Sequence, residues 1–311
     1  MYKRQRGAEV DTNHALYAKS ATVGAPPDQF SSTGQNWNLP ALNPVAMRES
    51  EYKHFITLLR NNMRLYGALR IDHVMALLRL WWCLPESGTH TEIGGYVYYP
   101  MDDLLALLRL ESHRHSCAVI GEDMGVVPNE MRHAMAESGI YGNRVLYFDR
   151  YDSGDFKMPE DHLHNVLFMV TNHDVPTLLG WWEGKDITLR HQLGGFTPEE
   201  AQAAHHDRFT DKYRLLNSLG TDDSQKEQLV SQPMDFELLK RILLYCARSQ
   251  SEITLVQIDD LLMMETPVNI PGTYREYPNW RRKQSATLDT MFTSGEVVRA
   301  LEEMRNLRPP M

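Results

Sequence analysis

The chain has 311 residues, 42% of them hydrophobic, and a formal net charge of −9. That length and apolar content can bury a sizeable core, as one large domain or two smaller ones, which excludes disorder of the whole; the acidic balance excludes nucleic acid or an anionic membrane as the main partner, since both require concentrated positive charge. Cys83, Cys117 and Cys246 are odd in number and far apart, and no stretch approaches the roughly 20 apolar residues of a membrane span, so the expectation is a cytoplasmic protein without a disulfide framework.

Met1-Tyr2-Lys3-Arg4-Gln5 is a short basic string that belongs to no strand or helix pattern. From Pro44 to Met63, the residues Phe55, Ile56, Leu58, Leu59 and Met63 fall at helical spacing, and a β-prone run from Gly67 to Val74 follows. Helix then strand recurs: Met101 to His113 leads to Ala118-Val119-Ile120, and Pro128 to Ser138 leads to Val145-Leu146-Tyr147-Phe148. His164 to Thr171 reads as a further strand. From 183 to 249 the chain is polar and helical, and Thr197-Pro198-Glu199-Glu200 forms a capping box with proline at the first helical position. A last strand, Ile253 to Ile258, runs into Asp259-Asp260 and a turn-rich segment containing Asn269. This alternation predicts an α/β fold with a parallel sheet, of which five strands can be counted.

Three strand-like runs end in an acid: Asp72 after Arg70-Ile71, Glu122 after Cys117-Ala118-Val119-Ile120-Gly121, and Asp174 after Thr171-Asn172-His173. Arg70 and Asp72 lie two apart and project from one face of a strand, where the guanidinium would favour the ionised acid that a nucleophile needs. Glu122 ends an apolar run of the kind buried on both faces, and such a site raises the pKa of a carboxylic acid, as suits a proton donor. Retaining glycosidases divide the work between two such groups about 5–5.5 Å apart. The third acid, Asp174, would hold sugar hydroxyls as positive charge develops. Singly, each is more often a helix cap or a surface ion pair; together, beside Arg70 and His173, they point to glycoside chemistry at the carboxyl ends of strands. His113-Arg114-His115-Ser116-Cys117 imitates a metal site, but no second ligand cluster has suitable spacing, so it reads as a helix end and no metal is expected. His205-His206 reads as a polar helical surface.

Further segments carry a resemblance: Val23-Gly24-Ala25-Pro26-Pro27-Asp28 with Gly34-Gln35-Asn36-Trp37, Gly67-Ala68-Leu69-Arg70-Ile71-Asp72-His73, Val119-Ile120-Gly121-Glu122-Asp123, Thr171-Asn172-His173-Asp174-Val175-Pro176-Thr177, and Pro267-Val268-Asn269-Ile270-Pro271-Gly272-Thr273 with Asn279-Trp280-Arg281-Arg282. From about Gly7 onward the chain resembles the carboxyl-terminal part of the amylomaltases, bacterial 4-α-glucanotransferases.

The resemblance implies an incomplete (β/α)8 TIM barrel with a helical insertion, in which residues 1–311 are the later portion of one catalytic barrel, 183–249 is a helical elaboration, and the first three strands lie upstream of Gly7. Asp72 would be the nucleophile at the end of the fourth strand, Glu122 the acid/base at the end of the fifth, and Asp174 the transition-state stabiliser at the end of the seventh. The family cleaves an α-1,4 bond of a maltodextrin, holds the glucan as an ester on the aspartate, and passes it to a sugar hydroxyl. Maltooligosaccharides and glucose are the implied partners, with no cofactor. Trp37 is assigned to acceptor stacking, since a flat aromatic face covers the C–H side of a pyranose, and Asp28, Phe30, Ser31 and Gln35 share its loop. His173 would hydrogen-bond sugar hydroxyls, and Asn269 would sit in the last loop of the site. His73 should face away from Asp72 and is not assigned to catalysis. Asn38 stands where the family usually has glycine; if φ is positive there, asparagine is among the better substitutes. Trp81-Trp82 and Trp181-Trp182 are expected to brace the barrel wall. An α-glucan hydrolase of the same clan, or a non-catalytic glucan-binding protein, is the alternative.

Overall fold

The computed structural model describes residues 8–27, 34–85 and 92–308, and the chain divides into two compact units, Met1–Gly142 and Asn143–Met311.

In the first unit, β1 (Tyr17–Ala25), β2 (Gln35–Leu42), β4 (Arg79–Pro85) and β5 (Glu92–Tyr98) form an antiparallel sheet in the order β2-β1-β4-β5. The sequence pattern does not predict this sheet. Its buried positions on β1 and β2 are the small residues Ala21, Val23 and Ala41, against which Trp37, Leu80 and Trp82 pack. Trp81 and Trp82 therefore belong to an antiparallel strand, not to a barrel wall, and successive residues of a strand turn to opposite faces. Trp82 Nε1 donates to the Tyr99 hydroxyl (3.2 Å), which donates to the Leu42 carbonyl (2.6 Å). The Trp81 indole occupies the place a Cβ at Gly94 would take, 2.1 Å from its ring atoms.

Two short strands, β3 (Ala68–Ile71) and β6 (Ala118–Gly121), pair in parallel from Ala68 opposite Ala118 to Ile71 opposite Gly121. The helix expected over 44–63 is two, Pro44–Glu49 and Lys53–Met63, because Glu51 and Tyr52 adopt left-handed φ of 55° and 58°. Asn43 caps the first, its Oδ1 accepting from the Val45 and Ala46 N–H groups. Leu59 and Met63 of the second helix join Leu104 and Leu108 of helix Met101–His115, Val119 of β6, and Met131 and Met135 of helix Asn129–Glu137 in one apolar core. Helices Lys53–Met63 and Met101–His115 are also tied by a buried carboxylate: Glu111 accepts from Arg60 through both oxygens (2.9 Å each) and from Arg114 (2.9 Å). The His113–Cys117 segment is a helix end, closed by Ser116 at φ 48°. Among the described residues no group of three or more His, Cys, Asp or Glu is arranged to hold a metal.

The second unit has the three-stranded order β7-β8-β9, from β7 (Gly142–Val145), β8 (Val166–Met169) and β9 (Ile253–Leu255), with β8 and β9 parallel. The strand expected at 145–148 lies three residues earlier, and Leu146–Phe148 is a 3-10 turn. The last strand stops at Leu255, and Ile258 opens a short helix, Ile258–Leu261. Helices Leu178–Trp182, Lys185–Gln192, Pro198–Ser218, Asp223–Ser231 and Phe236–Ala247 fill the interval between β8 and β9. The capping box is present: Thr197 Oγ1 accepts from the Glu200 N–H (3.2 Å), and Glu200 Oε2 accepts from the Thr197 N–H (2.8 Å). Trp181 and Trp182 are buried, the former stacked on Tyr147 at 5.1 Å, so both are packing residues of this helical layer. His205 and His206 are exposed. Among the described residues no helix is long and apolar enough to cross a membrane.

Candidate active site

Because Ile71 pairs with Gly121, the residues that follow, Asp72 and Glu122, leave two adjacent parallel strands side by side. Neighbouring strands lie about 4.8 Å apart. The pairing continues past the strand ends: the Glu122 N–H donates to the Ile71 carbonyl (2.8 Å), and the Val74 N–H to the Glu122 carbonyl (3.0 Å). The backbone at Gly121 is closely packed: a Cβ there would lie 2.7 Å from Met135 Cε and 2.9 Å from a Val74 methyl, so a larger residue would force those side chains to shift.

The two acids sit in opposite environments. Asp72 is open, its side chain 82% exposed, with Arg70 Nη1 donating to Oδ1 at 2.8 Å. Glu122 is largely buried, and its carboxylate accepts two backbone N–H groups, from Met124 at Oε1 (2.8 Å) and from His73 at Oε2 (3.0 Å). Burial pushes the Glu122 carboxyl above its ordinary value; these two N–H groups and the Arg70 charge pull the other way, and the Asp72 charge adds to the rise.

His73 is not idle, although strand alternation alone turns it away from the acids. It sits at φ 46°, the left-handed region, and this turn aims its N–H at Glu122. Its ring, whose pKa is lowered by burial, meets the Trp37 indole edge-on at 5.0 Å. Trp37 Nε1 in turn donates to Gln35 Oε1 at 3.1 Å. Arg70, Asp72 and Glu122 thus come together, and Trp37 with Gln35 joins them through His73. Asn38 has φ 54°, with its N–H donating to Asn36 Oδ1 (2.8 Å), as expected of asparagine in a glycine position. Asp28, Phe30 and Ser31 lie outside the described residues.

In the second unit the acid is Asp174. Its Oδ2 lies 3.0 Å from His173 Nε2, its Oδ1 accepts from Asn269 Nδ2 (2.8 Å), and its own N–H donates to Asn172 Oδ1 (2.9 Å). His173, Asp174 and Asn269 are therefore one cluster, although Asn269 is 95 residues away in sequence. Trp280 joins this cluster, a residue that belongs to one of the sequence motifs but has no role that the motif alone assigns: its ring lies 5.3 Å from that of His173 and is half exposed. The loop that carries Asn269 and Trp280 closes on itself, since the Trp280 N–H donates to the Val268 carbonyl and Asn279 Oδ1 accepts from the Ile270 N–H. A carboxylate held between an imidazole and an amide has its two oxygens fixed in place, and an ionised carboxylate is an acceptor of the kind that hydroxyl groups donate to.

Residues 1–288 match the family described as 4-alpha-glucanotransferase. The chain belongs to the 4-alpha-glucanotransferase family. It is 40% identical over 291 residues to the 4-alpha-glucanotransferase of Haemophilus influenzae, covering 92% of this chain and 41% of that protein. With the 4-alpha-glucanotransferase of Mycobacterium tuberculosis the figures are 32% identity over 314 residues, 96% of this chain and 42% of the relative. The chain therefore spans less than half the length of these two relatives. Among solved structures, the amylomaltase from Corynebacterium glutamicum matches with a TM-score of 0.87 at 28% identity, over 96% of this chain and 44% of that one. An amylomaltase from Streptococcus agalactiae in complex with acarbose shares the fold at a TM-score of 0.71 and 21% identity, over 96% of this chain and 54% of that one. The α/β fold of this 4-alpha-glucanotransferase family member is thus that of the amylomaltases.

Proposed function

We propose that this chain supplies the catalytic groups of a retaining 4-alpha-glucanotransferase acting on maltodextrin. The observation that carries the reading is the contrast at the ends of β3 and β6: an open carboxylate beside Arg70, and next to it a half-buried carboxyl with a raised pKa. A nucleophile and a proton donor need that contrast.

In the first step an Asp72 oxygen attacks the anomeric carbon of the donor glucosyl unit and the bond from that carbon to the leaving 4-oxygen breaks. Glu122 gives its proton to that oxygen, and the shortened sugar leaves with a free 4-hydroxyl. In the second step an acceptor 4-hydroxyl attacks the same carbon, the ester to Asp72 breaks, and the hydroxyl proton returns to Glu122. Two inversions leave an α-1,4 bond, so bonds are exchanged without net hydrolysis. Trp37, tied to Gln35 and to His73, offers a stacking face for a pyranose. Asp28 is carried from the family motif to the same loop. Asp174, held by His173 and Asn269, is proposed to bind sugar hydroxyls while positive charge develops at the reacting carbon. No cofactor is called for by this chemistry. Maltooligosaccharides and glucose are the proposed partners.

We also read the parallel pairs β3–β6 and β8–β9 as strands of a (β/α)8 barrel, with 183–249 a helical elaboration of it. Short parallel strands alternating with helices, and acids at their carboxyl ends, support that reading.

The test is incubation with maltotriose and resolution of products by length, with Asp72→Asn as control. Longer maltodextrins plus glucose, lost in the variant, are expected. Reducing ends without any longer product would replace the transferase with a hydrolase.

A further inference from the structure

We propose that the adjacent acids Asp259 and Asp260 are positioning residues that hold, from one turn of helix, the two loops whose side chains meet at Asp174. The assignment rests on the role proposed for Asp174 and names the groups that fix it in place.

Asp260 holds the first loop at both ends. Thr171, where that loop leaves β8, donates its hydroxyl to Asp260 Oδ2 at 2.5 Å, and Leu178, where it enters the next helix, donates its N–H to Oδ1 at 2.7 Å. His173 and Asp174 lie between these two anchors. Thr171 has one proton to give, and its oxygen accepts from Gln257 Nε2 at 2.7 Å, so the order Gln257 to Thr171 to Asp260 runs in one direction. Both Thr171 and Asp260 are buried, at 0% and 1% exposure, so neither is satisfied by bulk water. The Leu178 N–H is one of the orphan donors at a helix start, and the Asp260 carboxylate fills the need. Within the loop, Asn172 accepts from the Asp174 N–H, and Thr177 caps the helix by accepting from the Gly180 N–H.

Asp259 holds the second loop. Its Oδ2 accepts from Arg282 Nη2 at 2.6 Å and its Oδ1 from Gln284 Nε2 at 2.8 Å. Arg282 follows, by two residues, the Trp280 that rests against His173, and the same segment carries Asn269 to Asp174. Asp259 thus has a cationic partner, whereas the Thr171 hydroxyl and the Leu178 amide that donate to Asp260 are neutral. Burial accordingly pushes the Asp260 carboxyl up to about 6, against the pull of the Leu178 and Thr171 donors and with the Asp259 charge adding to the rise. A carboxylate kept at such cost is characteristic of sites where geometry matters more than stability.

The experiment uses the full chain with Asp260→Ala, Asp260→Asn, Thr171→Val and Asp259→Asn. It measures kcat and KM on maltotriose and backbone hydrogen exchange of 171–178. Asp260→Ala is expected to lower kcat about 100-fold, with KM changed much less, since a misplacement of about 1 Å costs that much, and to speed exchange of the Leu178 amide. Asp260→Asn keeps an oxygen for that N–H but sets an amide donor against the Thr171 hydroxyl, so it should restore slow exchange of the Leu178 amide and only part of kcat. Thr171→Val should open the loop at its first anchor, and serves if Asp260→Ala fails to melt cooperatively. Asp259→Asn should speed exchange in the 267–282 segment instead. Wild-type exchange or wild-type kcat in both Asp260→Ala and Thr171→Val would overturn the inference. A wild-type chain that makes no transfer product would overturn the transferase reading, while the exchange data would still decide whether Asp260 anchors the loop.

Discussion

At the scale of single residues, the two carboxyls with raised pKa both favour the lower side of the pH range, one through activity and the other through stability. Glu122 must carry a proton to serve as the proposed acid, and burial raises its pKa, so activity should persist above the usual carboxylate range and fall as pH rises through that raised value. Glu122→Gln should lose about 10²- to 10⁴-fold in kcat and abolish the alkaline limb of the pH–rate profile. Asp260 affects stability instead. Its pKa is about 6 when folded against an ordinary value of 3.8, so its protonated form is favoured by folding. That contribution is full below about pH 4 and is lost as pH rises through about 6, a change of about 3 kcal/mol. Melts of Asp260→Asn should therefore gain on wild type by about that much between pH 4 and 7, although the variant is not expected to be the better enzyme. A constant difference across that range would contradict the assignment.

At the scale of elements, helices were legible and the antiparallel sheet was not. Met101–His115 and Asn129–Glu137 announce themselves by apolar spacing. β1 buries only small side chains and interleaves them with Ser20, Thr22 and Gly24, so no alternating pattern of large apolar residues marks it. The glycine it uses is itself a contact: a Cβ at Gly24 would lie 1.9 Å from the Gln35 carbonyl oxygen. Gly24→Ala should thus unseat the β1–β2 pairing that carries Trp37, detected as a lower melting temperature and weaker acceptor use. Asn38 on β2 gives the complementary case. At φ 54°, Asn38→Gly should be close to neutral, whereas Asn38→Val should cost about 1–2 kcal/mol in urea unfolding. The site shows the same division. Asp72 and Glu122 could be found because each ends a local run; Asn269 beside Asp174, and the His73 N–H beside Glu122, depend on contacts that no local pattern encodes.

At the scale of the whole molecule, a net charge of −9 neither attracts nor repels a neutral sugar. Raising salt from about 0.05 to 0.5 M should change kcat/KM on maltotriose by less than about twofold, because no long-range steering exists to be screened. A steep salt dependence would point instead to a charged substrate. What a sugar meets on arrival is set by the exposure of Asp72, whose side chain is 82% accessible. The ester proposed to form on Asp72 would, on so open an oxygen, be as reachable by water as by carbohydrate. Which of the two takes the glucan is then a competition in time, decided by how much of the population has a sugar already lodged against Trp37. The ratio of lengthened chains to free reducing ends should climb with acceptor concentration and level off only when that lodging place is full.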